Sequence, residues 1–528
     1  MKNTPINIGQ VTQTFIDNYA IEMVNFATRT MHQPKKHQMN PLVRKDRPWE
    51  KVLLIRNNAY VRWDEGDRLF KFWYEDCGWD YTAFMAIERS RPEQEHLEMA
   101  VVESYERTID NRLLYAESKD GIHWDKPLMD YRMVDGHRTN ICFGDEAYGK
   151  VHACSVLLDP LEADASYRYK AMYWTVKRGV SDARIATAFS ADGRQWTPYD
   201  EPLRIGQITQ RQLGDVIILS VDNVTGEYYL DTRSRSMQEP SLNPKHPVVS
   251  GWGPPHYPHD PWTMAKRRVF SSNSRDINNW PALREMLVPD NVEDNLDDEF
   301  YSLSRFRMGD LTVGMMGVFS RTLNTKNVYL LCSRDGYNWQ RVGQGRPFLD
   351  LGPEDAWDSY MVEVATTPIL FEDEVRIYYA GANVHHDWWQ FGEKEGLDVP
   401  EARAGWDGRQ TALGLATLRR EGFVSIDTNV REGVLVTRPL VSDGRRLVLN
   451  VWCGANGYLD VELADANDDV VPGFGRSACD TYHGDSTRHV VSWGGTTELP
   501  PDVMARGVKL RFYSRHCSLF AFTVAGEA

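Results

Sequence analysis

A short pattern, Ser-x-Asp-Gly-x-x-Trp, recurs along the chain and limits what the chain can fold into. Copies run from Ser118 to Trp124, Ser190 to Trp196, Ser274 to Trp280 and Ser333 to Trp339, with a worn fifth at Arg420-Glu421-Gly422-Phe423. From aromatic to aromatic the steps are 72, 84, 59 and 84 residues. Such a period is too long for a solenoid and suits four-stranded units with variable loops. Apolar strands precede the copies, as in Arg112 to Ala116, Ile185 to Phe189 and Val328 to Cys332. Asp-Gly then supplies the tight hairpin, and the Trp opens the outer strand with its ring under the turn. Hairpin chemistry accounts for these Asp and Trp residues, so the repeat is structural. Five copies predict five blades.

Aromatic, alternating segments fill out the blades: 68–74, 169–174, 227–231 and 374–379. After residue 428 the repeat stops. Short strands at 447–452, 458–463, 489–493 and 508–513 then alternate with Gly and Asp turns, which predicts a separate β-sandwich. The expected fold is all-β, with an N-terminal β-hairpin extension over 1–45, a five-bladed β-propeller over 46–428 and a β-sandwich over 429–528. Three long stretches break the strand rhythm, at 79–111, 237–270 and 383–411. They carry Trp79, Trp252, His256, His259, Trp262, Trp388 and Trp389, candidate walls of a substrate pocket.

The net charge of −15 over 528 residues argues against a nucleic-acid partner. The 17 Trp and 24 Tyr suit both strands and a surface that stacks on sugar faces. No apolar run is long enough to span a membrane, and the first residues lack the apolar core of an export signal. A cytoplasmic location away from membranes is therefore expected. Seven scattered Cys with no Cys-x-x-Cys pair read as reduced thiols. His385-His386-Asp387 has the composition of a metal motif, but adjacent His residues on an extended strand face opposite ways. No metal and no cofactor are expected. An exposed edge of the C-terminal strands leaves room for two copies to pair as a homo-oligomer.

Together these features resemble the five-bladed β-propeller glycoside hydrolases, the superfamily of families 32 and 43, with the appended sandwich of the family 32 branch. Four stretches, Thr14 to Tyr19, Asn40 to Glu50, Ala356 to Met361 and Gly484 to His489, resemble an uncharacterised group of bacterial glycosyl hydrolase-like proteins. The resemblance implies a carbohydrate substrate and glycosidic-bond cleavage, including furanosides such as fructo- or arabinofuranosides. It does not extend to the family 32 catalytic motifs. Asp-Pro-Asn-Gly and Glu-Cys are absent, and Arg56-Asn57-Asn58-Ala59 stands where the first would fall.

Glycoside hydrolysis needs two carboxyls flanking the bond, one protonated to release the leaving oxygen and one ionised to attack or to activate water. Inner strands of a propeller converge on one axis, so an acid just ahead of each could share one funnel. Four blades offer one: Glu50 before 52–55, Asp215 before 216–219, Glu299 before 300–303 and Asp358 before 361–362. The second blade offers His152 instead, since Asp159 reads as a turn residue. Glu363 sits inside an apolar strand and must face polar space or a partner.

The assignment from these residues is Glu299 as general acid and Asp215 as nucleophile or base. Asp358 would fix charge or a hydroxyl, with Glu50 a fourth catalytic candidate. His152, Glu363, Arg305, Trp79, Trp252 and Trp388 are candidate substrate contacts. Two other classes fit the same fold. A glycoside phosphorylase would need a basic cluster for phosphate and a single acid, and a noncatalytic carbohydrate-binding propeller would need only the aromatic loops.

Overall fold

The computed structural model describes residues 4–57, 59–77, 110–144, 149–175, 184–201, 203–206, 215–235, 267–290, 292–295, 297–320, 323–386 and 411–526. Trp79, Trp252 and Trp388, with His256, His259, Trp262 and Trp389, lie outside the described residues. The chain is all-β: among those residues the α-helix is Pro501–Arg506, a single short turn. No helix among them is long and apolar enough to cross a membrane.

Antiparallel units follow one another along the chain. The first pairs Val52–Leu54 and Tyr60–Asp64 with Leu69–Cys77, then Asn111–Ser118 and Ile141–Phe143. The second is His152–Leu158, Tyr169–Thr175, Arg184–Ser190 and Thr197–Pro198. The third is Ile217–Val221, Tyr228–Arg235, Arg267–Ser274 and Arg284–Leu287. The fourth is Asp298–Met308, Leu311–Ser320, Thr325–Ser333 and Gln340–Arg341. The fifth sets Met361–Glu363 and Ile369–Phe371 against Glu374–Ala382 and Thr411–Arg419. Its last strand, Lys35–Lys36, comes from the N-terminal segment.

Each turn of the repeat is built by its own side chains. Ser118 Oγ accepts from the Gly121 N–H at 2.8 Å, and Asp120 Oδ1 accepts from the Ile122 and His123 N–H groups, both at 2.8 Å. Ser190 and Asp192, then Ser333 and Asp335, repeat the arrangement. These turns also join units. Trp73 of the first unit donates Nε1–H to Gly193 O of the second at 2.6 Å. Tyr378 of the fifth donates to Gly121 O of the first at 3.0 Å. The worn copy keeps its turn with Glu421, not glycine, at positive φ (49°).

The N-terminal segment differs from the expected hairpin. Ile21–Asn25 pairs with Gly433–Thr437, and Ala27–Met31 pairs with Val424–Thr428. These strands thus join the C-terminal part, and that part begins by residue 424, ahead of the predicted boundary at 429. There, ten strands form one continuous sheet. Its long strands Arg446–Asp465 and Val508–Ala525 pair along their length and shift register between Cys453 and Tyr458, where a bulge bends the sheet. One hydrophobic core runs from Phe15, Leu449, Leu510 and Phe522 of this sheet to Val313, Leu330, Val362 and Phe348 of the fourth and fifth units. The C-terminal part is therefore packed onto the units and not set apart from them. All seven cysteines are free thiols.

Candidate active site

In an antiparallel unit the start of the first strand, the end of the second and the start of the third meet at one edge. At that edge the five units present charge. The first contributes Arg56 and Glu75, the second His152, the third Asp215, Arg233 and Arg267, the fourth Glu299, Tyr301 and Lys326, and the fifth Glu363 and His386.

Tyr301 is the hub. Its ring lies under Lys326 Nζ at 3.3 Å and Arg233 Cζ at 4.1 Å, with Arg267 Cζ at 5.4 Å. Cations over an aromatic face are attracted by its quadrupole. The Tyr301 hydroxyl and His386 Nε2 are 2.8 Å apart, and burial pushes the phenol pKa up. Around this hub the charges pair. Arg233 bonds Asp215, Arg267 bonds Glu299, and Lys326 bonds Glu363. Arg56 Nε stands 3.8 Å from Glu363 Oε2. Burial opposes the charge on Glu363, but Lys326 and Arg56 outweigh it and lower its pKa.

Asp215 differs from the other acids in its exposure. Its side chain is 37% exposed, whereas those of Glu299 and Glu363 are buried. Desolvation would raise its pKa, yet Arg233, His152, Arg267 and His386 hold it well below the carboxylate range. Asp215 is thus an ionised, accessible carboxylate, the state a nucleophile or base requires.

His152 is placed by an irregularity. The register of His152–Leu158 on Tyr169–Thr175 shifts between His152 and Ser155, and Ala153 has φ 50°. A bulge of this kind re-aims a side chain. His152 Nδ1 lies 2.5 Å from Glu75 Oε1, and the Ala153 N–H donates to Glu75 Oε2 at 3.0 Å. Asn111 Nδ2 also bonds Glu75 and is 2.8 Å from the same ring nitrogen. Burial pulls the imidazole pKa down, but Glu75 and then Asp215 outweigh it, so the net shift is upward.

Of the residues singled out in the sequence, the structure brings together Asp215, Glu299, Glu363 and His152. The others bind elsewhere. Glu50 Oε2 accepts from the Asp46 and Arg47 N–H groups at 2.9 and 3.1 Å, and its Oε1 accepts from Tyr74 and Lys126 at 2.9 and 2.6 Å. Those four donors make it a buried brace of the first unit. Asp358 accepts from Lys36 Nζ at 2.6 Å and Tyr379 Oη at 2.9 Å, where the N-terminal strand meets the fifth unit. Arg305 makes a two-pronged bond with Asp231, at 2.7 Å through Nε, and donates to Ser271 at 2.9 Å. It ties the fourth unit to the third. None of these partners belongs to the group around Tyr301. Asp159 is bonded to its own turn, accepting from the Leu161 N–H at 3.0 Å.

Glu75, Arg56, Arg233, Arg267, Tyr301 and Lys326 did not emerge from a search for acids ahead of first strands. Asp298, beside Glu299, has its pKa raised by burial but accepts from Asn295. Strand alternation turns it to the other face. His385 packs on Tyr360 with ring centroids 4.0 Å apart while His386 bonds Tyr301, so the adjacent imidazoles diverge. Among the described residues no group of three or more His, Cys, Asp or Glu is placed to hold a metal ion.

No family model matches the sequence, and no curated protein does. Several solved structures are similar in chain path. A beta-1,2-mannobiose phosphorylase from Listeria innocua has 12% identity over 73% of this chain and 96% of its own, with a TM-score of 0.44. A protein described as a glycoside hydrolase has 13% identity over 73% and 92%, with a TM-score of 0.42. A member of the GH130 family of mannoside phosphorylases has 12% identity over 74% and 94%, with a TM-score of 0.41. Values this low assign neither a family nor a substrate.

Proposed function

We propose that the protein cleaves glycosidic bonds as a glycoside hydrolase, in a recess where five propeller blades converge, with the N-terminal strands and C-terminal sandwich packed against them. The observation that carries this reading is Asp215: an ionised, partly exposed carboxylate that faces Arg233 and Arg267 of its own unit, His152 of the second and His386 of the fifth. Asp215 acts as nucleophile or base. Arg233 keeps it charged, and Arg56, part-exposed at the same edge, is placed to bond sugar hydroxyls. Furanosides such as fructo- and arabinofuranosides are the first substrates to try.

One observation favours a second reading. Arg56, Arg233, Arg267 and Lys326 bring four cations to one group, which suits an anionic co-substrate such as phosphate. A single screen separates the two. Aryl glycosides and natural oligosaccharides, furanosides included, are incubated with and without phosphate, beside Asp215→Asn. Turnover without phosphate, reduced about 10²- to 10⁴-fold in the variant, is the expected result. Turnover only with phosphate would replace hydrolase with phosphorylase. Full turnover by a folded Asp215→Asn protein would overturn the role of Asp215.

A further inference from the structure

Cleavage by Asp215 leaves a second requirement, a proton for the departing oxygen. A carboxyl that serves as general acid needs an apolar wall or a like charge beside it to stay protonated near neutrality. At this site the carboxyls face cations: Asp215 faces Arg233, Glu299 faces Arg267, and Glu363 faces Lys326 and Arg56. Glu299, the acid expected from sequence, is thus poorly surrounded for the task.

We infer that His152, held by Glu75, is the general acid of this site. The inference rests on the glycosidase reading above and deepens it. Glu75 is wholly buried in the strand Leu69–Cys77, and it fixes the ring through Nδ1 at 2.5 Å. With Nδ1–H committed to the carboxylate, Nε2 is the nitrogen that exchanges its proton. The Ala153 N–H at 3.0 Å and the Asn111 amide complete the cradle for Glu75, and the left-handed Ala153 is the backbone cost of that aim.

Among the described residues, the charged groups that face His152 are Glu75 from the first unit and Asp215 from the third. Asn111 and Trp174 beside it are neutral. Both charges are negative, so both favour the imidazolium. In the reaction the Nε2–H bond breaks as its proton passes to the glycosidic oxygen. That oxygen keeps the electron pair of its bond to the anomeric carbon, and the carbon gains a bond to water deprotonated by Asp215. The proton on Asp215 returns through solvent to His152, and one water has been added across the bond.

The test is a series of aryl and alkyl glycosides of graded leaving-group acidity, assayed with wild type, His152→Gln and Glu75→Gln. His152→Gln should lose about 10²- to 10⁴-fold in kcat/KM on alkyl leaving groups and less than about tenfold on dinitrophenyl ones, which depart without a proton. Glu75→Gln should move the alkaline limb of the kcat/KM profile to lower pH. A merely structural role would reduce all substrates alike and leave the limb in place, and that result would overturn the inference. The wild-type profile tests it without either variant. A limb above the ordinary histidine value of about 6.5 is expected, and one near the carboxyl value of about 4.3 would overturn it. Wild-type silence on every glycoside would overturn the glycosidase reading itself, a result distinct from either of these.

Discussion

Three copies of the repeat place a glycine at the same backbone angle in different surroundings, which separates the cost of the turn from the cost of the joint between units. Gly121, Gly193 and Gly336 have φ of 75°, 76° and 76°. A Cβ on Gly336 would meet nothing within 4 Å. On Gly193 it would fall into the indole of Trp73, a buried ring held by its 2.6 Å bond to Gly193 O. On Gly121 it would strike the Tyr378 hydroxyl and come within 2.8 Å of Arg376 Nη1. Gly336→Ala therefore carries only left-handed strain, about 1 to 2 kcal/mol. Gly193→Ala adds overpacking against a ring that cannot move, about 1 to 3 kcal/mol more, for a total of about 2 to 5 kcal/mol. Urea unfolding of the variants beside wild type measures this as midpoint and slope. The expected order of loss is Gly336→Ala smallest, then Gly193→Ala and Gly121→Ala. Equal losses for Gly193→Ala and Gly336→Ala would refute the idea that these turns lock one unit onto the next.

Other perturbations follow from the charged centre and the thiols. Lys326→Met leaves a buried Glu363 without its bonded partner, beside Arg56 and His386, and should cost about 3 to 5 kcal/mol in urea unfolding, most of it recovered in the double variant Lys326→Met with Glu363→Leu. Asp215, with its pKa lowered on folding, contributes stability that is full above its unfolded value near 3.9 and is lost as pH falls through the lower folded value. The stability difference between wild type and Asp215→Asn should thus shrink as pH is taken below about 4, read from urea midpoints at a series of pH values. Cys453 has its pKa drawn down to about 7, chiefly by the thiol of Cys517 opposite it, whereas burial raises Cys142 and Cys154. Alkylation followed by peptide mass mapping should find Cys453 modified before either of them.

The repeat was legible because hairpin chemistry is local. Ser, Asp, Gly and Trp within seven residues determine their own bonds, and the turns at 118–124, 190–196 and 333–339 form as those residues dictate. Pairing across hundreds of residues left weaker marks. Nothing within Lys35–Lys36 announces that it completes the unit ending at Arg419, nor within Ile21–Asn25 that it pairs with Gly433–Thr437. The site was half legible for a similar reason. A search at the start of first strands reaches Asp215, Glu299 and His152. In an antiparallel unit the same edge also receives the end of the second strand and the start of the third, and there lie Glu75, Arg233, Arg267 and Lys326. Applying the register of Asp215 to those strands would have found them. Glu50 and Asp358 satisfy the sequence rule equally well, but Lys126 and Lys36, distant in sequence, bind them elsewhere.

Most pairings of the charges around Tyr301 cross from one unit to the next. Glu75 of the first unit holds His152 of the second. Arg267 of the third holds Glu299 of the fourth, Lys326 of the fourth holds Glu363 of the fifth, and Arg56 of the first returns to Glu363. Asp215 alone in this group takes its closest cation, Arg233, from its own unit, and its side chain is the one left open. These joints between units are therefore made by the same groups that set the electrostatics of the site. Breaking one joint strands a charge where water is scarce, which is costly. Asp215 can change partners without opening a joint. On the proposed function it is consequently the carboxylate at which a substrate would displace a protein cation while the joints between units stay closed.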